Sequence, residues 1–255
     1  MKILLTGANG YIGKRLLPLL LENGQEVVCC VRDRKRFPTG GFYQHPNLSL
    51  IEVDFLKNIS PFEEIKDIDV AYYLIHSMSD DGGDFLDLEE LSARNFLKLV
   101  EPTTAQQIIY LGGIINEEKL SKHLASRKKV EEILRSGRIP VTSLRAGIIV
   151  GSGSSSFEII RDLTEKLPFM ITPKWLNTLT QPIAIRNVLE YLTGVLLLPE
   201  SMNKSFDIGG PDVLTYKQML LQFAEVRGLK RVIITIPVMT PKISSYWLYF
   251  VTNTS

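Results

Sequence analysis

Cysteine is scarce. The 255 residues hold two, Cys29 and Cys30, side by side. Neighbours in an extended chain face opposite ways, so the two are not placed to bridge each other, and a disulfide-stapled scaffold is excluded. Histidines number three, and no Cys, His and acid spacing marks a metal site. Asp80, Asp81 and Asp84 around Gly82-Gly83 lack the ordered ligand spacing of a calcium loop and read as a solvated turn. Neither sign of charge dominates: 29 Lys and Arg stand against 28 Asp and Glu, so no nucleic-acid or other polyanion partner is implied. No apolar run is long enough to span a bilayer. The first residues read as a strand rather than a secretory leader, which sets the expectation of a cytoplasmic protein with reduced thiols. There is no internal repeat and no G-x-S-x-G.

What the sequence does have is concentrated at its start. Lys2 to Leu5 is a short apolar run, Thr6-Gly7-Ala8-Asn9-Gly10-Tyr11-Ile12-Gly13 follows at once, and Lys14 to Asn23 carries five leucines before Gly24. This reads as strand, glycine turn, helix, with Gly7, Gly10 and Gly13 spaced G-x-x-G-x-x-G. The first glycine allows a tight turn, the second lets backbone approach a pyrophosphate, and the third lets helix pack on strand. The helix then turns its free N–H groups and positive dipole end toward the phosphates. A second strand at Glu26 to Val31 completes the β-α-β context that the motif needs.

Strands are further expected at Leu48 to Val53, Asp69 to Ile75, Gln107 to Leu111 and within Pro140 to Val150. Helices are expected at Phe85 to Val100 and Leu120 to Arg135. Such alternation predicts an α/β fold, a Rossmann-type doubly wound parallel sheet with ligands at the carboxyl ends of its strands. After Gly151 the pattern loosens. Helices are expected at Phe157 to Lys166, Ile185 to Leu198 and Thr215 to Arg227, and short strands at Phe206 to Ile208 and Val232 to Ile236. The predicted organisation is a dinucleotide-binding core over 1–150, a small C-terminal α/β lobe over 151–240 interleaved with the core on the substrate side, and an aromatic tail over 241–255. That tail, with Ile243, Tyr246, Trp247, Tyr249, Phe250 and Val251, reads as a segment packed on its own lobe, or as a contact for a partner or second copy in a longer protein.

The end of strand two bears on the choice of nucleotide. An acid there, about 20 residues past the turn, would bind the ribose hydroxyls of NAD. Here Arg32 follows Val31, and Arg34, Lys35 and Arg36 come next. Arg32 offers a charge-assisted fork to a 2′-phosphate, so NADP is expected over NAD. Asp33 argues the other way, because a one-residue shift would put a carboxylate at that place. The basic run also reads as a solvated loop. Asp54 and Phe55 after strand three suit the adenine rim, and Asp54 equally suits a cap. Arg145 is either an anion contact or an ion-pair partner.

Thr6 to Gly13, Val53-Asp54-Phe55, Leu144 to Gly151 and Phe206 to Pro211 resemble the extended and atypical short-chain dehydrogenases/reductases. The resemblance runs from Met1 to about Pro237. Tyr72 to Met78, Tyr110 to Gly113, His123 to Arg127 and Gln181 to Ala184 resemble an atypical bacterial subgroup similar to the sugar-nucleotide epimerases and to a complex I subunit branch. The resemblance implies a cofactor-binding set of Gly7, Asn9, Gly10, Tyr11, Ile12, Gly13, Arg32, Asp54, Phe55, Ile75, His76, Leu111 and Gly112. His76 would line the cofactor cleft after strand four.

It also implies a Tyr-x-x-x-Lys pair on the helix after strand five, with a Ser at that strand's end. Here the matching positions hold His123 and Arg127, and the Ser region reads Gly112-Gly113. Two functions follow. In one, the protein is an oxidoreductase or epimerase of a small carbonyl or hydroxyl substrate, with His123 as acid/base because its ordinary pKa lies near neutrality and Arg127 holding the ribose. In the other, the protein binds the dinucleotide without catalysis, as a redox sensor or assembly subunit.

Overall fold

The structure, a computed structural model, describes residues 1–75, 85–115 and 122–236. In chain order the elements are β1 (Lys2–Leu5), α1 (Gly13–Glu22), β2 (Glu26–Val31), β3 (Leu48–Glu52), β4 (Val70–Tyr73), α2 (Phe85–Val100), β5 (Gln107–Gly113), α3 (Lys122–Arg135) and β6 (Val141–Ala146). There follow β7 (Ile149–Val150), α4 (Ser155–Lys166), β8 (Phe169–Pro173), β9 (Leu179–Thr180), β10 (Ile183–Ala184), α5 (Ile185–Gly194), β11 (Ser205–Ile208), β12 (Leu214–Thr215), α6 (Tyr216–Val226) and β13 (Val232–Ile236). The chain forms two compact units, one of Met1–Ala146 with Arg186–Ile208 and one of Gly147–Ile185 with Gly209–Ser255.

The first unit is built on a seven-stranded sheet in the order β11-β6-β5-β4-β1-β2-β3, with every pair parallel. Parallel neighbours need crossover helices, which cover both faces, so the strands read as continuous apolar runs. Val27 to Val31 are buried without a break, as is all of β5. Because both faces are covered, Tyr72 and Tyr73 are each buried although they point opposite ways. The Tyr72 hydroxyl donates to the Leu192 carbonyl at 2.7 Å, while the Tyr73 ring meets Phe96 edge-on at 4.9 Å and Tyr110 at 6.0 Å. The order reverses between β1 and β4: the chain leaves β1 toward β2 and returns to β1's other side as β4. That is the switch point where doubly wound sheets open a crevice beyond the strand ends.

The return of 186–208 to this unit is held by polar groups. Gln107, fully buried at the start of β5, donates to Thr142 Oγ1 at 2.8 Å, to the Val195 carbonyl at 2.9 Å and to Ser201 Oγ at 3.3 Å. Its Oε1 accepts from the Leu197 N–H at 2.7 Å, which steadies Leu197 in the left-handed region at φ 49°. The adjoining strand edge is fastened by Glu131 on α3. Its carboxylate accepts two hydrogen bonds from Arg145, at 2.9 and 3.0 Å, one from Arg135 at 3.2 Å and one from Ser205 at 2.7 Å. Arg145 is thus a structural partner of Glu131.

The second unit has its own core of Ile160, Leu163, Met170, Leu176, Met219, Leu220 and Ile233. Ser154 caps α4 by accepting from the Phe157 N–H at 3.2 Å, and a capping box of Thr215 and Gln218 starts α6. Helices α4 and α6 meet through Phe157 and Phe223, perpendicular rings 5.5 Å apart. The pairs β8·β13 and β7·β10 are parallel, and β9·β12 is antiparallel. Strand β8, with β7, β9, β10 and β12, was not legible in the sequence pattern, which breaks at each proline there.

Gln107→Leu is expected to strand the Leu197 N–H and the Thr142 and Ser201 hydroxyls in the interior. The expected cost is about 2–3 kcal/mol, a fall of roughly 4–12 °C in melting temperature, measured by circular dichroism; an unchanged melt would contradict the network. Glu131 makes a second, pH-dependent case. Burial alone raises its carboxyl, but hydrogen bonds from Arg145, Ser205 and Arg135 outweigh it and hold the pKa below the ordinary 4.5. A lowered carboxyl pKa contributes stability above the unfolded value and loses it as pH falls through the folded one. Wild type is therefore expected to lose stability below about pH 4.5 more steeply than Glu131→Gln, in denaturant melts across pH; parallel curves would contradict the assignment.

Candidate functional site

The crevice forms where β1 ends beside β4. The Thr6 hydroxyl, fully buried, donates to the Tyr72 carbonyl at 2.9 Å and accepts from the Leu74 N–H at 3.0 Å. This bridge draws the first turn against the end of β4. Gly7, at φ 68°, then lies so close to Leu74 that a Cβ there would strike the Leu74 carbonyl, and a Cβ on Gly13 would strike the Gly7 carbonyl. The turn closes with Gly10 N–H donating to the Gly7 carbonyl at 2.9 Å. Helix α1 starts from Ile12 with no side-chain cap. Its Lys14 and Arg15 N–H groups donate to the Gly10 and Ile12 carbonyls, each at 3.0 Å, and the dipole at this end of the helix favours an anion in the crevice. Arg15 lies over the Tyr11 ring at 4.0 Å and donates to the Tyr11 carbonyl.

A cleft of about 360 Å³ opens over this turn. The glycine turn, the ends of β2, β3 and β4, and Ser92 of α2 line it. From the sequence-expected set, Gly7, Asn9, Gly10, Arg32, Asp54, Phe55 and Ile75 line the cleft, and Tyr11, Ile12 and Gly13 continue its turn into α1. Leu111 and Gly112 sit on β5, beyond β4, and are not among its lining residues. His76 and the side chain of His123 lie outside the described residues, as do Asp80, Asp81 and Asp84. Sequence reasoning missed Ala8, Cys30, Val31, Asp33, Arg36, Val53, Leu56, Leu74 and Ser92 as cleft-lining. For Cys30, Val31, Val53 and Leu74 the position at a strand end was the available signal; Ser92, in the middle of α2, carried none. Burial pushes the Cys29 thiol up to about 12 and raises that of Cys30 as well, so both are held as neutral thiols.

The basic run sorts into two kinds of residue. Arg34 belongs to its own turn: its guanidinium donates to the Leu50 carbonyl at 2.7 Å, and its N–H donates to Glu52 at 3.3 Å. Asp33 is likewise committed, accepting from the Lys35 N–H at 2.8 Å and pairing with Arg36 at 3.6 Å. Arg32 lines the cleft and, among the described residues, makes no hydrogen bond or ion pair. Asp54 both lines the cleft and caps its turn, accepting from Leu56 N–H at 3.1 Å and pairing with Lys57 at 3.4 Å. Asn95, buried on α2, holds this loop by donating to the carbonyls of Phe55 at 2.8 Å and Lys57 at 3.0 Å.

On α3, Ser126 turns away from β5, and its hydroxyl donates to the buried Glu89 carboxylate on α2. Arg127 takes the opposite side. Its guanidinium lies where a Cβ on Gly113 would come within 3.1 Å, and its carbonyl accepts from the Tyr110 hydroxyl at 3.2 Å. A side chain at Gly112 would press on the Tyr110 ring at 2.9 Å. The end of β5 is thus packed for glycine. Among the described residues no group of His, Cys, Asp and Glu could hold a metal ion, and no helix is long and apolar enough to cross a membrane.

Many solved structures share the fold, among them the following three. A nucleoside-diphosphate-sugar epimerase from Staphylococcus aureus is 16% identical, with a TM-score of 0.76 over 97% of this chain and 84% of that one. UDP-glucuronic acid 4-epimerase from Bacillus cereus, solved with UDP-glucuronic acid and NAD, is 19% identical, with a TM-score of 0.72 over 100% and 94%. A short-chain dehydrogenase/reductase superfamily protein from Agrobacterium tumefaciens with bound NAD is 15% identical, with a TM-score of 0.70 over 93% and 85%. No curated protein matches the chain. The family model described as NAD(P)H-binding matches residues 7–173. With the glycine turn, uncapped helix and cleft inside that span, the chain belongs to the NAD(P)H-binding family of Rossmann proteins.

Proposed function

We propose that the protein is an NADP(H)-dependent oxidoreductase or epimerase acting on a small carbonyl or hydroxyl substrate. The observation that carries the nucleotide choice is the arrangement after β2. Of the two carboxylates that line the cleft, Asp33 is engaged by Lys35 and Arg36 and Asp54 by Leu56 and Lys57, while Arg32 lines the same cleft without a partner among the described residues. A 2′-phosphate supplies the charge-assisted acceptor that a free guanidinium lacks, and a ribose diol does not. Arg36, tethered by Asp33 and lining the cleft, adds a second positive charge.

The bound dinucleotide would supply or accept hydride; the protein's part is to hold it and to move a proton. Gly7, Asn9, Gly10, Tyr11, Ile12 and Gly13 would cradle the pyrophosphate, Gly10 by close backbone approach rather than through its N–H, which is bonded to Gly7. Asp54, Phe55 and Ile75 would frame the adenine end, and His76, Leu111 and Gly112 the nicotinamide end. His123 takes the acid/base role at the Tyr position, and Arg127, with its planar fork of donors, holds the ribose hydroxyls at the Lys position. The lobe over 151–240 takes the substrate side. We place the protein in the cytoplasm.

A second reading rests on β5. Its end is packed against Tyr110, Leu124 and Arg127: a Cβ on Gly112 would press on the Tyr110 ring, and one on Gly113 would have to displace the tips of Leu124 and Arg127, so the place of the usual Ser is closely filled. With the Tyr and Lys also replaced, that packing favours a non-catalytic NADP(H)-binding sensor or assembly subunit.

Titration with NADPH and NADH, by nicotinamide fluorescence and thermal shift, tests the nucleotide choice, since a ligand of the folded state raises its melting temperature. NADPH is expected to bind more tightly. Arg32→Ala should weaken NADPH by about 10–100-fold, the worth of a charged hydrogen-bonded contact, and leave NADH nearly unchanged. Equal loss for both nucleotides, or tighter NADH binding by wild type, would overturn the reading. Turnover of small carbonyl substrates that is lost in His123→Ala with NADPH binding intact would select the enzyme over the sensor.

A further inference from the structure

The aromatic tail over 241–255 lies outside the described residues. Within them, helices α2 and α3 pack against each other and give apolar residues to one core, Ala93, Phe96 and Val100 from α2 and Val130, Ile133 and Leu134 from α3. A contact of another kind joins the same helices. Glu89 of α2 and Ser126 of α3 are 5% and 1% exposed, and the serine hydroxyl donates to the glutamate carboxyl. Burying a carboxyl group costs free energy that an apolar side chain in its place would not. A lone polar contact inside an apolar helix interface sets the register of the helices at that cost. Both residues precede the apolar stripe along their helices. The contact therefore lies toward the helix N-termini, the end at which doubly wound sheets bind their ligands.

The rotation of α3 sets the direction of Arg127. Successive helical residues turn by about 100°, so a helix that holds Ser126 toward α2 carries Arg127 round to another side. There the Arg127 carbonyl accepts from the Tyr110 hydroxyl of β5 at 3.2 Å. The guanidinium reaches the last residue of β5, where a Cβ on Gly113 would meet it at 3.1 Å and the Leu124 side chain at 3.0 Å. Leu124 and Arg127, three apart, share this face of the helix. The turn 124–127 is thus held from two sides, by α2 through the Ser126 side chain and by β5 through the Arg127 carbonyl. We propose that Glu89, acting through Ser126, is a positioning residue that fixes the rotation of α3 and so aims Arg127 at the carboxyl end of β5. This role rests on the function proposed above, in which Arg127 holds the nicotinamide ribose.

Calorimetric titration of the 255-residue chain with NADPH and with 2′,5′-ADP tests it, because 2′,5′-ADP shares the adenosine and 2′-phosphate but ends before the nicotinamide ribose. Glu89→Leu is expected to weaken NADPH about 3–10-fold, the worth of one coupled contact, and to leave 2′,5′-ADP unchanged. Glu89→Gln, which keeps a carbonyl oxygen for Ser126, should recover most of the loss. Ser126→Ala, which removes the same hydrogen bond from α3, should reproduce the loss and covers the case in which Glu89→Leu fails to fold. In an Arg127→Ala background Glu89→Leu should cost NADPH nothing further. Equal weakening of both ligands, or a loss that persists undiminished without Arg127, would mean a general structural role and overturns the proposal. An NADPH affinity that Arg127→Ala leaves untouched overturns the ribose role and the positioning role together. A loss in Arg127→Ala with none in Glu89→Leu or Ser126→Ala overturns the positioning role alone.

Discussion

The site depends on one close approach, that of the first turn to the end of β4. The Thr6 hydroxyl bonds both the Tyr72 carbonyl and the Leu74 N–H, and so sets how far the backbone of β1 stands from that of β4. At that separation Gly7 has no room for a Cβ against Leu74, nor Gly13 against Gly7. The same contact aims α1 from the crevice rather than across it. The helix start without a side-chain cap, the cleft and its lining strand ends all follow from a backbone contact that only glycine allows.

Around that contact the charged residues separate into those that build the fold and those left for a ligand. Glu131 gathers Arg145, Arg135 and Ser205; Arg34 is spent on β3; Asp33 and Asp54 cap their own turns. Lining a cleft is not by itself evidence of binding, since Asp54 does both. The distinction lies in whether a charge already has a partner. By that measure Arg32 and Lys35 are the two side chains of the basic run without a partner among the described residues, and Arg32 is the one of them that lines the cleft.

The alternating β-α-β pattern of the first 146 residues was legible because each element is specified by its own residues: apolar runs for covered parallel strands, leucine periodicity for helices, glycine where backbones meet. The G-x-x-G-x-x-G spacing located the turn for the same reason. What was not legible is long-range. Strand β8 follows Pro168 and ends on Pro173, and it exists because β13, some sixty residues later, pairs with it. The return of Arg186–Ile208 to the first unit rests on Gln107, a polar residue in an apolar strand whose partners lie up to 94 positions away. Arg145 could be read as ligand or strut until Glu131, on a different element, was placed beside it. The ambiguity of Asp33 against Arg32 was likewise one of direction: composition puts both at the end of β2, and only the hydrogen bond to Lys35 shows which way the carboxylate turns.

The role proposed for Arg32, receiving a 2′-phosphate at the rim of the cleft, is put to the test by calorimetric titration with 2′,5′-ADP against 5′-ADP, which share the adenosine and lack the nicotinamide. Measurable binding of 2′,5′-ADP that weakens with rising salt, and much weaker binding of 5′-ADP, is the predicted result. Equal binding of the two, or binding of 5′-ADP alone, would contradict it.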